Sequence, residues 1–101
     1  MIVVIANIQI VPGKRDAFVA EFKKIVPAVL AEDGCIEYGP TVDAATDLEK
    51  QQTDDSIVTI VEKWESLAAL KAHLVAPHMT DYRERVKDLV QGSQLRILQS
   101  A

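Results

Sequence analysis

The sequence lacks the features of a secreted or membrane-bound protein. A single cysteine, Cys35, cannot form a disulfide within the chain, so nothing here requires an oxidising compartment. The apolar start has no basic leader and is interrupted by Asn7 and Gln9, which argues against a signal peptide. No stretch approaches the roughly 20 apolar residues of a membrane span. We therefore expect a cytoplasmic protein with no membrane partner.

An excess of positive charge and familiar catalytic motifs are also missing. The 11 basic and 15 acidic residues give a net charge of −4, and no basic patch stands out. We therefore expect no nucleic-acid partner, because binding to phosphates requires clustered lysine and arginine. The chain has no glycine-rich nucleotide motif, no CxxC, no HExxH and no nucleophile elbow. No motif by itself identifies a reaction.

The chain does have a regular succession of apolar patterns over 101 residues, which is enough for a single domain spanning residues 1–101. Alternating or continuous apolar runs predict strands, and apolar stripes at helical spacing predict helices. The predicted strands span residues 2–11, 35–43, 57–65 and 94–99, and the predicted helices span 14–31, 67–75 and 79–90. The order is β-α-β-β-α-β with the second helix broken, which predicts a ferredoxin-like α+β fold. In this fold a four-stranded antiparallel sheet carries its helices on one face.

Helix breakers and turn residues refine these boundaries. Pro27 should kink or end the first helix, and Gly92 should end the last one. Ser66 is a predicted N-cap. Gly39-Pro40 predicts a bulge or an edge position in the second strand. Residues 44–56 are predicted to form a long polar loop.

The first and third predicted strands are largely apolar on both faces, although helices cover only one face of a ferredoxin-like sheet. A large exposed apolar face is unusual on a monomer. We therefore expect a second copy of the chain to cover it, forming a homodimer.

Five side chains are candidates for a functional site, and each has an alternative structural role. Asn7 interrupts an apolar strand, so it is either a structural amide or a pocket amide. Trp64 is either core or a hydrogen-bond donor in a pocket wall. His73 lies at the edge of a predicted stripe of Leu67, Leu70 and Leu74, where it could titrate in a cleft. His78 either caps a helix or joins the site, and Tyr82 is a candidate wall residue.

A metal site is not expected. His73 and His78 are five residues apart with Pro77 between them, so they do not share one helix face. Without a recognisable metal-ligand spacing, the sequence predicts no metal.

Two segments carry a resemblance to a known family. VVIANIQIVPGKRDAFVAEFKKIVPAVLAEDGCIEY, followed by VEKWESLAALKAHLVAPHM, resembles the antibiotic biosynthesis monooxygenase (ABM) superfamily nearly from end to end. The shared features are a PGK turn after the first strand, a helix closing on E-x-G-C, a strand ending in E-x-W-E, and an A-H-L…P-H-M segment. The resemblance implies a ferredoxin-like homodimer whose two sheets form a barrel-like core.

The resemblance also implies an activity. Characterised members include cofactor-free oxygenases that act on quinols and anthrone-like compounds, so the expected substrate is a small, electron-rich aromatic molecule and the expected cofactor is none. Asn7 and Trp64 match polar pocket residues of the family, which implies that they hydrogen-bond the substrate. His73 is the candidate for assisting deprotonation, with His78 second and Tyr82 in the wall.

Other activities within the superfamily remain open. Haem degradation is disfavoured, because His73 and Arg83 stand near the positions where those enzymes place a second tryptophan and an axial histidine. A cofactor-free isomerase would use the same side chains without consuming oxygen. A non-catalytic small-molecule-binding or stress-response dimer is the third alternative.

Overall fold

The computed structural model describes residues 1–101 and confirms the ferredoxin-like arrangement. Four strands form one antiparallel sheet in the order β2-β3-β1-β4. Three helices complete the β-α-β-β-α-α-β succession. The elements are β1 (Ile2–Ile10), α1 (Arg15–Leu30), β2 (Cys35–Thr41), β3 (Ile57–Trp64), α2 (Leu67–Leu74), α3 (Pro77–Val86) and β4 (Val90–Leu98). No helix has the length and apolar character that crossing a membrane requires.

Helix α1 forms because its apolar residues repeat at helical spacing, and its buried stripe is Phe18, Phe22, Ile25 and Val29. The prediction that Pro27 could end the regular helix was wrong, since α1 continues to Leu30. A proline removes one backbone N–H, and here it does so only one turn from the helix end. The carbonyl oxygen of Pro27 still accepts a bond from the N–H of Ala31 at 3.2 Å.

The second helical region is divided as predicted. The Ser66 side chain accepts a hydrogen bond from the N–H of Ala69 at 3.1 Å and so caps α2. Pro77 occupies the first turn of α3, where its missing N–H costs nothing. The predicted leucine stripe was only partly correct, because Leu70 is buried while Leu67 and Leu74 are exposed. The buried partner of Leu70 on α2 is instead His73.

The last strand begins earlier than predicted. Gly92 does not end a helix; it lies inside β4 and pairs with Gln9. The apolar residues Leu89 and Val90 resemble a continuation of the helix in sequence, but α3 ends at Val86. The physical reason is the edge of β1 that faces away from β3. Its backbone N–H and C=O groups need partners, and a long β4 supplies them from Val3 to Ile10.

The second strand lies at an edge of the sheet, as its Gly39-Pro40 pair predicted. The alternative prediction of a bulge there was wrong, because Gly39 and Pro40 pair regularly with Val61 and Ile60. The register shift falls between Cys35 and Glu37 instead. Residues 42–56 contain neither helix nor strand, in agreement with the predicted loop.

The sheet has one face covered by helices and one open face. Alternate residues of β3, from Val58 to Trp64, are buried under the helices. The residues between them point to the opposite side, because side chains alternate along a strand. On the open face Val3, Ile5 and Val61 are only half-buried. The open face therefore retains apolar surface in a single chain.

Candidate functional site

The most distinctive polar cluster is formed by one carboxylate and two imidazoles. Nδ1 of His73 lies 2.9 Å from Oε2 of Glu32, and Nε2 of His78 lies 2.8 Å from the same oxygen. An ionised carboxylate only accepts hydrogen bonds, so both ring nitrogens donate to it. We call Glu32, His73 and His78 the histidine–glutamate cluster. Both histidines of the chain are in it.

Three different elements position this cluster. His73 is in the last turn of α2, His78 is the second residue of α3, and Glu32 is in the turn after α1. Gly34 lets that turn approach α2 closely: its φ is +81°, and a Cβ there would lie 2.7 Å from Cβ of Ala69. The close approach brings Glu32 within reach of both helices.

The sequence-based argument against pairing the two histidines was wrong. It assumed that residues on either side of Pro77 diverge because they do not share a helix face. The structure shows that the break between α2 and α3 turns both rings toward Glu32. The three residues offer one oxygen and two nitrogens, all within 4.8 Å of one another. This donor set could hold a metal ion.

An aromatic wall and a second glutamate surround His73. The His73 ring centroid lies 4.7 Å from that of Trp64 and 5.3 Å from that of Tyr38. The Trp64 indole N–H donates to Oε1 of Glu62 at 2.9 Å. Burial raises the pKa of Glu62, and the smaller effect of the hydrogen bond from Trp64 acts in the opposite direction. Burial also raises the pKa of the Tyr38 phenol.

The sequence predicts His73 as a cleft residue and Trp64 as either a core residue or part of a pocket wall. They do contact each other, but both are buried. The surface depressions of the molecule are lined by neither of them. His78 does line one, a depression of about 430 Å³ between α1 and α3. The cluster therefore meets solvent at His78, while His73 lies behind it.

Asn7 is not brought to this cluster. It pairs with Thr59 in the register of β1 and β3, whereas Trp64 pairs with Ile2 on the helix-covered face. Asn7 therefore points to the open face, and its Oδ1 accepts a hydrogen bond from the Thr59 hydroxyl at 2.8 Å. It lines a polar depression of about 340 Å³ together with Asp43 and Asp54 of the long loop. Asn7 and Trp64 cannot share one pocket within a single chain.

Tyr82 is a core residue of α3. Its ring packs edge-on against Phe18 and Phe22, with centroid distances of 6.3 and 5.6 Å. It also lines a depression of about 450 Å³ beside Ile8 and the start of β4. That depression does not include the histidine–glutamate cluster.

Two polar residues of the site, Glu32 and Glu62, were not among the sequence candidates. Each is the first residue of a motif that carried the family resemblance: Glu32 opens E-x-G-C and Glu62 opens E-x-W-E. The signal was therefore present in the sequence. At a helix end and a strand end these glutamates predict only solvated surface residues, because acidic residues are seldom buried.

Comparison with known proteins identifies the family. The sequence profile described as antibiotic biosynthesis monooxygenase matches residues 1–85. The protein named "Probable quinol monooxygenase YgiN" from Escherichia coli (strain K12) is 46% identical over 101 residues, covering 98% of this chain and 97% of its own.

Solved structures support the same fold. PA3566 from Pseudomonas aeruginosa superposes with a TM-score of 0.81 at 25% identity, covering 99% of this chain and 93% of its own. Rv0793 from Mycobacterium tuberculosis gives 0.80 at 27% identity, covering 99% and 94%. A four-stranded ferredoxin-like domain with these relatives is an ABM-type protein. The chain belongs to the antibiotic biosynthesis monooxygenase family.

Proposed function

We propose that this monooxygenase-family protein is a cofactor-independent enzyme that oxidises an electron-rich quinol or anthrone-like molecule with O₂, acting as a cytoplasmic homodimer. The observation that carries the proposal is His73, a buried imidazole held by the Glu32 carboxylate against an aromatic wall. The relative named "Probable quinol monooxygenase YgiN", 46% identical over nearly the full length, supports the substrate class.

The proposed chemistry begins with removal of a proton from the substrate. The resulting anion gives an electron to O₂, and the two radicals combine to form a peroxide at a ring carbon. Cleavage of the O–O bond leaves one oxygen atom as a carbonyl, and the other leaves as water with the hydrogens of the substrate. The substrate supplies all the electrons, so the protein's part is to hold the anion and exclude water.

His73 is the proposed base. Its Nδ1 is engaged by Glu32, so the second ring nitrogen, Nε2, takes the substrate proton. A carboxylate on one nitrogen orients an imidazole and stabilises its protonated form, which favours proton transfer to the other nitrogen. Because His73 is buried, side chains at the cluster edge must move to admit the substrate, and His78 is the exposed member of that edge.

The remaining candidates receive smaller roles in the proposal. Trp64 supplies a flat apolar wall, because its N–H is already bonded to Glu62. Tyr82 lies one layer further into the core, where it packs on Phe22, whose ring stacks on Tyr38. Substrate binding by Asn7 stays a prediction, and it requires the polar depression on the open face rather than the space beside His73.

The homodimer is proposed from the open face of the sheet. Ile5 lies there between its neighbours Val61 on β3 and Arg96 on β4. Leu98 of β4 pairs with Val3, so it adds to the apolar surface of this face, and it is 38% exposed. Covering this surface with a second copy would remove it from water.

Oxygen uptake tests the function. We expect chelator-treated protein to consume O₂ above the autoxidation rate with at least one member of a panel of quinols and anthrones. His73→Asn should lower this rate by about 10²- to 10⁴-fold, as expected for loss of a general base. Asp33→Asn, which changes an exposed carboxylate next to Glu32, should leave it unchanged.

Folding of the His73 variant is checked by binding. Quenching of Trp64, the only tryptophan, should report substrate binding in wild type and variant alike. Substrate turnover without oxygen consumption would favour an isomerase that uses the same base. Binding without turnover across the panel would favour a non-catalytic binding protein.

Sedimentation tests the homodimer. Ile5→Lys places a charge on the open face and should convert a dimer into a monomer. Val75→Lys, at the most exposed large apolar side chain, lies just beyond α2 and should leave the dimer intact. A wild-type chain that sediments as a monomer at micromolar concentration would contradict the proposal.

A further inference from the structure

We propose that the histidine–glutamate cluster binds a divalent transition-metal ion of the Zn²⁺ class. The ligands would be Oε2 of Glu32, Nδ1 of His73 and Nε2 of His78. The inference is independent of the proposed oxygenase activity, because it rests only on the convergence of these three donors.

The donor set matches the chemistry of such an ion. Two imidazole nitrogens and one carboxylate oxygen form a ligand set used by zinc enzymes, with the fourth position left to water. The same combination serves other borderline divalent metals, whereas Ca²⁺ and Mg²⁺ prefer all-oxygen sites. The proposal is therefore restricted to the Zn²⁺ class.

The geometry needs only small adjustments. Tetrahedral ligands about 2.05 Å from a zinc ion are about 3.3 Å apart. The two oxygen–nitrogen separations are 2.9 and 2.8 Å, and no pair of the three donor atoms exceeds 4.8 Å. Widening the contacts to Glu32 by about half an ångström would admit the ion. Rotation of the His78 ring toward His73 would bring the two nitrogens closer together.

The site is also accessible and supported. The side chains of Glu32 and His78 are 15% and 29% exposed, so an ion and its water can reach them from the depression between α1 and α3. The cations that line this depression, Lys24 and Arg85, are both paired with Glu21. Asp81 adds a negative charge at the entrance. His73 is fixed from behind by its packing against Trp64, which pre-orients one ligand.

Metal binding would change the protons of the cluster. In the metal-free state Nδ1 of His73 and Nε2 of His78 donate to Glu32, but a metal requires their lone pairs. Each neutral ring must therefore carry its proton on the other nitrogen when the ion is bound. For His73 that is Nε2, so a bound metal would block the proposed base. We expect metal to inhibit the oxygenase reaction, not to support it.

Titration with metal alone tests the proposal. Chelator-treated full-length protein is titrated with Co²⁺, whose visible absorption reports coordination, and Zn²⁺ affinity is measured by competition with a chromophoric chelator. We expect one saturable equivalent per chain. His78→Gln and Glu32→Gln should each weaken binding about tenfold or more, because each removes a direct ligand.

Matched controls make the test specific. Asp33→Asn removes the carboxylate next to Glu32, which is exposed, and should bind metal like the wild type. Zn²⁺ should raise the thermal midpoint of the wild type and of Asp33→Asn equally, and that of His78→Gln by less. His78→Gln alters a partly exposed side chain, so it keeps the test valid if Glu32→Gln does not fold. Absence of saturable binding, or affinity that survives both substitutions, would overturn the proposal and leave a purely hydrogen-bonded cluster.

Discussion

The two faces of the sheet differ in how they hold polar side chains. On the helix-covered face Glu62 and His73 are buried among aromatic rings, and each has a fixed partner. On the open face the Asn7–Thr59 hydrogen bond and the Lys63–Glu37 ion pair stay half-exposed. A polar group in the first setting is costly unless bonded, whereas water can satisfy it in the second.

This difference separates a fixed polar network from isolated polar contacts. No buried side-chain nitrogen or oxygen lacks a hydrogen-bond partner. The covered face therefore holds a complete polar network inside an apolar core, which fixes the orientation of the His73 and Trp64 rings. The open face holds isolated polar contacts and apolar surface, which suits contact with another copy.

The largest expected effect is loss of the aromatic wall on the covered face. Trp64→Ala should lower the free energy of unfolding by about 3–5 kcal/mol, because it empties a fully buried site. Val61→Ala, on the open face of the same strand, should cost about 1 kcal/mol. Urea denaturation of both variants measures the contrast. Similar losses would show that the two faces are equally buried in solution.

The same pair of variants can also report on the second copy. In a monomer the cost of Val61→Ala should not depend on protein concentration. If a partner covers the open face, the loss of unfolding free energy caused by Val61→Ala should change with protein concentration. The substitution then weakens the dimer, and dimer formation stabilises the folded state by mass action. Trp64→Ala provides the matched comparison, since its side chain packs within one chain.

An intermediate effect is expected from the charge of Glu62. Burial raises its pKa in the folded state, so the stability that this group contributes is present at low pH and is lost as the pH rises through its folded pKa. Glu62→Gln removes this titration and keeps an oxygen that can accept from Trp64. The variant should therefore gain stability relative to the wild type between about pH 4 and neutrality. Urea titrations across this range measure the difference, and a difference that does not change with pH would contradict the prediction.

Much of the fold could be predicted because local patterns and the global topology agree. The apolar stripe from Phe18 to Val29 predicts a helix, and Ser66 predicts a helix start. Both structures are present in the folded chain. The errors arose where tertiary pairing decided the structure. Gly92 follows an apolar helical pattern and so predicts a helix end, but it pairs with Gln9 of β1 and lies in a strand. Pro27 signals a break, but so close to a helix end it removes only one bond.

The candidate site was harder to predict because its parts are far apart in sequence. Glu32 and His73 are 41 positions apart, and only the packing of the turn after α1 against α2 brings them together. Spacing arguments apply within one helix, so they could not detect ligands on two helices and a turn. The residue alternation that separates Asn7 from Trp64 depends on strand register, which a single sequence does not specify.

The smallest effect should come from the polar contact on the open face. Asn7→Ala and Thr59→Val each remove one side of a single hydrogen bond of 2.8 Å. Their coupling in a double-mutant cycle should be about 0.5–1.5 kcal/mol, the range of a neutral hydrogen bond. If Asn7 also binds substrate, Asn7→Ala should lower turnover while Thr59→Val, which leaves the amide in place, should not. Equal turnover in both variants would confine Asn7 to a structural role and leave the covered face as the place where the reaction is organised.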